Sequence, residues 1–290
     1  MAVAHSNGEA IGRRSRSRSA LRWMLQHRSV TIGAVLIGIV VLLAAFAPLV
    51  TAADPYAQDL MSTMLPPSWE HPFGTDDNGR DIFARVLYGA RISLLEVVLS
   101  VGLAVLVGVP LGIISGMTGR YVDQAIMWCM DILFAFPGIV LAILIVSVLG
   151  TSLVNLLIAI AIFSVPVYAR LSRNITLSLK NMEYVEAAIS LGISQYRIMT
   201  RYILRNAIGP IIVQSTLTAG TVVLSAASLS FLGLGAQPPL PEWGAMMSDG
   251  RNYLGLNIYM SLFPGLAIML TVLGFNILGD GLRDLLDPRR

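Results

Sequence analysis

The sequence predicts an all-α membrane protein with six transmembrane helices, and three observations carry that prediction. Charged residues make up only 13% of the 290 positions, against roughly 25% in soluble domains. Hydrophobic residues make up 55%, and the mean hydropathy is +0.72. Crossing a hydrocarbon core as helix takes roughly 20 apolar residues. Such runs occur at about 30–50, 92–116, 125–149, 151–170, 208–234 and 256–279. Only helices and closed barrels satisfy their backbone groups in lipid. These runs lack the alternation of barrel strands, so a helical bundle is expected.

The elements follow in order. Residues 1–29 form a polar tail containing RRSRSRS, read as a disordered juxtamembrane segment that binds no nucleic acid. The run at 30–50 reads as a retained anchor: it follows a long basic tail and is too long for a signal core, although TAA near its end resembles a cleavage pattern. Residues 51–90 form an outer loop punctuated by Pro66, Pro67, Pro72, Gly74 and Asn78-Gly79. Within the core, 91–283, five further spans are expected. A tight inner turn at 117–123 centres on Gly119, and Gly150-Thr151 makes spans three and four a close antiparallel hairpin. A second outer loop, 235–258, opens rigidly at Pro238, Pro239 and Pro241. It continues as an amphipathic stretch whose Trp243 and Tyr253 suit a membrane interface. Residues 284–290 form a second tail. Pro110, Pro137, Pro166, Pro210 and Pro264 fall within spans, where each bends a helix unless neighbours compensate. Gly102, Gly108 and Gly112 allow close helix approach.

Charge sets the orientation. One side carries Arg13, Arg14, Arg16, Arg18, Arg22, Arg28, Arg120, Arg170, Arg173, Lys180, Arg197, Arg201, Arg205, Arg283, Arg289 and Arg290; the other carries Arg80, Arg85, Arg91 and Arg251. The positive-inside rule puts the richer side, with both termini, in the cytoplasm. The net charge of +3 is therefore mostly a topology signal.

Isolated polar residues add little. Cys129, the only cysteine, reads as a small buried side chain. His5, His27 and His71 lack metal-ligand spacing. Glu96 and Asp131 fall near span ends, where water or headgroups relieve their charge, and Asn155 lies near an outer end. A phosphate loop GxxxxGK[ST] is absent, and the only lysine sits in SLKNM. GxSxG and HExxH are also absent, so an enzyme is not expected. The energy for a transporter must then come from ATP on partner chains or, for an ion-coupled carrier or channel, from a gradient.

A polar island, Glu183 to Asn206, interrupts the apolar pattern. Met182, Val185 and Ile189 share one face of a first short helix. Gly192 supplies a turn, and Ser194 is placed to N-cap a second helix. That helix carries an apolar stripe, Ile193, Tyr196, Met199 and Ile203, beside a basic one, Arg197, Arg201 and Arg205. Like charges four apart repel by a few tenths of a kcal/mol per pair, which calls for an acidic partner or lipid headgroups. Ala187 and Ala188 keep the first helix thin enough for close approach. Spacing alone leaves open a partner-docking hairpin or an interfacial amphipathic helix.

The stretch EAAISLGISQYRIMTRYIL resembles the EAA loop of importer-type ABC permeases, matching at Glu186, Ala187, Ala188, Gly192 and Leu204. It departs at Tyr202, where the pattern has isoleucine, and at Arg205, where it has proline. Further segments, HPFGTDDNGRDIFARVLYGARISL, MDILFAFPGIVLAI, SFLGLGAQPPLPEWGAMMSDGR and GDGLRDLLDPRR, are similar to the C-type permeases of dipeptide, oligopeptide and nickel importers. The resemblance spans about residues 70–290. It implies a type I importer-like permease whose EAA loop, 172–207, inserts into a groove on an ATPase subunit, with Glu183, Glu186, Ala187, Ala188, Gly192, Arg197 and Arg201 as coupling residues. It implies no catalytic residue, metal or cofactor on this chain, with ATP and Mg on partners. The implied partners are a homologous B-type permease, two ATPases, an extracytoplasmic substrate-binding protein and membrane lipid. The protein is expected in the cell membrane as a multi-pass chain importing dipeptides or short oligopeptides; nickel complexes, glutathione and haem are the alternative substrates.

Overall fold

A computed structural model describes residues 27–286. The N-terminal tail to residue 26 and the last four residues, 287–290, lie outside it, and with them most of both expected tails. The described residues are helical apart from loops, turns and one isolated antiparallel bridge, Thr75 to Asp81.

Helix α1, Arg28–Ala45, breaks at Phe46 and resumes as α2, Ala47–Val50, with Pro48 in the second position. The outer loop then ends earlier than expected, at Asp81. Its carboxylate accepts the Ala84 N–H at 2.6 Å and so caps α3, Ile82–Met117. At 36 residues, α3 is about 54 Å long, well beyond a ~30 Å hydrocarbon core.

The third expected span is not one straight crossing. It divides into α4, Arg120–Phe134, and α5, Gly138–Leu149, bent by 89° at the intervening break. Pro137, at φ −55 and ψ 130, stands at the start of α5. Proline fixes φ and disfavours helical geometry in the residue before it, so the turn is written at that position. Pro110, Pro166, Pro210 and Pro264 instead lie inside continuous helices. Among the described residues, counting the bent pair as one span gives six elements long and apolar enough to cross a membrane.

Gly150, at φ +91, turns the chain into α6, Leu153–Leu179, making the expected hairpin. Asn155 completes that turn, donating to the carbonyls of Leu149 and Gly150 at 2.9 Å each. After the polar loop, with α7 at Glu183–Ser190, come α8, Arg205–Phe231, then α9, Trp243–Gly250, and α10, Tyr259–Leu286.

Two close pairings build the bundle. On α3, Gly108, Gly112 and Gly116 recur every fourth residue. A Cβ at Gly108 would lie 2.7 Å from Val165 O, one at Gly112 2.9 Å from the Ala169 carbonyl carbon, and one at Gly116 2.7 Å from Thr176 Cβ. Backbone approach of this kind, small residue on small residue, supplies packing where lipid gives no hydrophobic drive. Gly102, expected to serve likewise, faces open space. The second pairing runs α1 antiparallel to α10, where Gly33 meets Leu278 and Gly281 meets Val30. On its other side α1 exposes Ile32, Val35, Ile39 and Leu42.

Three single-residue expectations change. Cys129 is exposed on α4 rather than buried. Trp243 is no interfacial anchor: it is 2% exposed, its indole N–H donating to Val86 O at 3.0 Å. Glu96 is not at a span end but well inside α3, fully buried among its neighbours, and neither carboxyl oxygen makes a hydrogen bond. Asp131 does sit at the surface, paired with Arg170 at 2.7 Å.

Candidate coupling loop

Helix α7 opens with Glu183 and Glu186 in its first turn, where carboxylates favour the positive end of the helix dipole. Its end is a Schellman arrangement. Gly192 N–H donates to Ile189 O at 2.9 Å, and Ile193 N–H to Ala188 O at 3.1 Å. The residue in the left-handed position is Gly192, at φ +75, as the motif prefers. The expected glycine joint is therefore present in backbone geometry.

The second short helix is not separate. A turn at Gln195–Arg197 runs into a seven-residue π-helical stretch, Ile198–Leu204, and on without interruption into α8. Ser194 occupies the N-cap position but makes no side-chain capping bond. The loop thus hangs rigidly from a membrane-crossing helix instead of forming a free hairpin.

Burial divides the loop differently from the helical spacing. Val185, Ala188, Ile198 and Ile203 are buried and fix the loop to the bundle. Tyr184 and Tyr202 add a stacked contact with centroids 6.4 Å apart. The apolar faces expected from spacing are split by burial: Met182, Ile189 and Tyr196 are exposed while Val185 and Ile203, grouped with them in the sequence, are buried. Glu183, Glu186, Ala187, Gly192, Arg197 and Arg201 are all exposed, so of the seven expected coupling residues only Ala188 faces inward. The most exposed large apolar side chains on the loop are Leu191 at 81% and Tyr196 at 74%. Leu191 went unnoticed in the sequence because it belongs to neither stripe; its place just before the turn glycine was the available signal.

Polar ties hold the ends of the neighbouring helices nearest this loop. Arg173 on α6 clasps Asp123 on α4 through two bonds, at 2.5 and 2.6 Å. Ser115 on α3 donates to the same carboxylate, and Lys180 reaches Gly116 O at 3.0 Å. Asp131 and Arg170 repeat the α4–α6 tie two turns further along, with the guanidinium 4.1 Å above the Phe134 ring.

The opposite end is a packed cap. Arg80 donates to Asp76 at 2.6 Å, Arg85 lies 3.5 Å from the same carboxylate, and Asp249 stands 4.0 Å from Arg80. Arg85 also reaches Pro55 O at 3.1 Å and Pro239 O at 3.4 Å. Asp76, Arg80 and Arg85 are buried, so this network ties the first outer loop to α3 and to the second outer loop. Asn257 adds a bond to Thr75 O at 3.1 Å. Glu242 caps α9 through the N–H groups of Gly244 and Ala245, each at 2.8 Å. Burial pushes its carboxyl above the usual range, although these amides and the Ser230 hydroxyl pull the other way. Burial likewise raises the Asp249 carboxyl. On the outer surface of the cap Leu60, Met61 and Trp69 are exposed.

Among the described residues no cluster of three or more His, Cys, Asp or Glu side chains is placed to hold a metal ion.

Comparison with known proteins agrees with this architecture. Residues 108–290 match the family described as binding-protein-dependent transport system inner membrane component. Residues 15–67 match the N-terminal transmembrane domain of oligopeptide transport permease C. The dipeptide transport system permease protein of Alkalihalophilus pseudofirmus is 50% identical over 94% of this chain and 90% of its own length. The probable D,D-dipeptide transport system permease protein of Escherichia coli K12 is 45% identical over 93% and 91%. A glutathione transport system permease protein of Pectobacterium atrosepticum is 48% identical over 77% and 74%. A chain of the MetNI methionine ABC transporter, solved in inward-facing conformations, aligns with a TM-score of 0.57 at 18% identity, over 69% of this chain and 96% of that one. That likeness shows the fold, an all-α ABC importer permease. The relatives are permease subunits rather than enzymes. The chain belongs to the binding-protein-dependent transport system inner membrane components, as a C-type permease subunit of the dipeptide, oligopeptide and nickel ABC importer family.

Proposed function

We propose that this chain is the permease half of an ATP-driven importer of dipeptides or short oligopeptides, worked through the loop Glu183–Asn206. The observation that carries the reading is the exposure of Leu191 and Tyr196, the most exposed large apolar side chains on a loop that Val185, Ile198 and Ile203 anchor in the bundle. Large apolar side chains held out on a fixed support are what a partner's pocket uses as anchors. Glu183, Glu186, Arg197 and Arg201 surround them with both signs of charge, which fixes register more than affinity. The thin face at Ala187 lets the partner approach, and Gly192 sets the angle between α7 and the π-helical stretch.

In this reading the loop and both termini lie in the cytoplasm, where the basic residues concentrate. ATP and Mg sit on two ATPase subunits, a B-type permease supplies the other half of the path, and an external binding protein delivers substrate to the cap bearing Leu60, Met61 and Trp69. Nucleotide-driven closure shifts the pore equilibrium only by its differential contact with the two pore states, and this loop is where that contact is made. Peptide as substrate follows the names of the relatives.

The test is co-purification and uptake. Leu191→Asp and Glu186→Lys should each reduce ATPase recovery with the membrane-inserted chain about tenfold, a loss of ~1.4 kcal/mol, and abolish peptide uptake. Gly192→Val, strained at its positive φ, should retain the ATPase but uncouple hydrolysis from uptake. Unchanged uptake in all three variants would overturn the assignment.

A further inference from the structure

The break between α1 and α2 leaves an unusual pair of carbonyls. Pro48 has no N–H, so Ala44 O, four residues earlier, loses its helical donor. Leu49 N–H bonds to Phe46 O at 2.8 Å and so leaves Ala45 O without one. Arg91 on α3 satisfies both, donating from Nε to Ala44 O at 2.6 Å and from Nη2 to Ala45 O at 3.1 Å. Its guanidinium lies 5.0 Å from the centre of the Tyr88 ring. Two of its five N–H donors are used in this way, and the side chain is exposed.

The carbonyls it caps belong to Ala44 and Ala45, the last two residues of the candidate span Arg28–Ala45. The end of a span is where headgroups lie, and a cation there is favoured when it meets an anion.

Beside it lies an apolar groove of about 350 Å³ between α1, α3 and α10, lined by residues including Leu43, Phe83, Leu87, Leu266, Ala267 and Leu270. Leu87 is one helical turn from Arg91, and Leu43 immediately precedes the carbonyls that Arg91 caps. Both neighbours put the guanidinium beside the groove. Ile39 lines the groove too and is half-exposed, so the groove continues onto the outward apolar face of α1.

We propose that this groove and Arg91 together bind one membrane phospholipid, an acyl chain lying between α1, α3 and α10 and the phosphodiester meeting the free N–H groups of Arg91. The apolar lining selects the tail. The remaining guanidinium donors match the planar, multi-donor recognition that phosphate favours. The occupant answers both features at once, since it brings hydrocarbon and an anion to the same place.

Native mass spectrometry of the full-length chain, supplied with dioleoyl phosphatidylglycerol or with dioleoylglycerol, tests the site. The two probes share their tails and differ by the phosphate. The wild-type chain should retain phosphatidylglycerol about tenfold better than dioleoylglycerol, ~1.4 kcal/mol. Arg91→Gln should remove that preference, Arg91→Lys should keep part of it, and Ala267→Phe, which fills the groove, should reduce retention of both lipids. Equal retention of the two lipids by the wild-type chain would overturn the proposal without reference to any variant. So would unchanged preference in Arg91→Gln, or a cysteine placed at Leu43 cross-linking to a protein chain in native membranes.

Discussion

Glycines on one helix need not share a role. Gly112 and Gly102 sit on α3 ten residues apart and look alike in sequence, yet only the first has backbone within reach of a new Cβ. Gly112→Val should drive α3 from α6 and lower the thermal midpoint in detergent by several degrees, on the scale of an overpacked core at ~1–3 kcal/mol. Gly102→Ala should hold or raise the midpoint, since alanine favours a helix interior by up to ~1 kcal/mol. Equal effects at the two positions would mean that the α3–α6 contact is not what Gly112 serves. Composition could not separate them, because the difference lies in the partner, Ala169, far along the chain on α6. Trp243 and Glu96 were misplaced for the same reason: hydropathy gives depth along a span, not which neighbours surround a side chain. Gly192 was legible because its demand is local, a positive φ within one turn of its own helix.

At the scale of elements, most helices were visible in the sequence within a few residues, since lipid requires long apolar runs whatever their packing. Direction was less legible. The α4–α5 pair reads as one run of hydropathy, and Pro137 marks where a bend can occur without giving its angle. The π-helical stretch was invisible, because no residue in Ile198–Leu204 is special to it. Its wider turn carries an extra residue relative to an α-helix. Deleting Thr200, which is only partly buried, should draw the stretch into α register and rotate α7 by about 100° relative to α8. Peptide-stimulated ATP hydrolysis by the reconstituted importer should then fall at least tenfold, with the chain still inserted. Retained stimulation would show that the orientation of α7 relative to α8 does not matter.

For the whole molecule, the buried charges of the outer cap act as its clamp. The sequence displayed Asp76, Arg80 and Arg85 as a charged loop near the membrane, and their burial only emerges once α9 brings Asp249 alongside. Without Arg85, Asp76 keeps Arg80, but the carbonyls of Pro55 and Pro239 lose their donor, and an unmet buried polar group costs ~1–3 kcal/mol. Arg85→Met should therefore loosen the cap, seen as faster proteolysis within residues 51–81 and a lower thermal midpoint. Asp249→Asn, at a more exposed position, should change the midpoint by no more than a surface pair does, ~0–1 kcal/mol. If the two variants proved equally mild, the clamp would be ornamental.

Helix α3 enters the cap through Arg85 and Val86, and at its far end Gly116 meets Lys180 while its flank packs on the π-helical stretch. One continuous helix therefore joins the cap to the loop that, on the function proposed above, an ATPase would grip. On that function, a displacement at one mouth would reach the other along a single helix, with Pro110 the one point within it where proline favours a bend. Traffic through the membrane would then be metered by the tilt of a single rod rather than by separate gates.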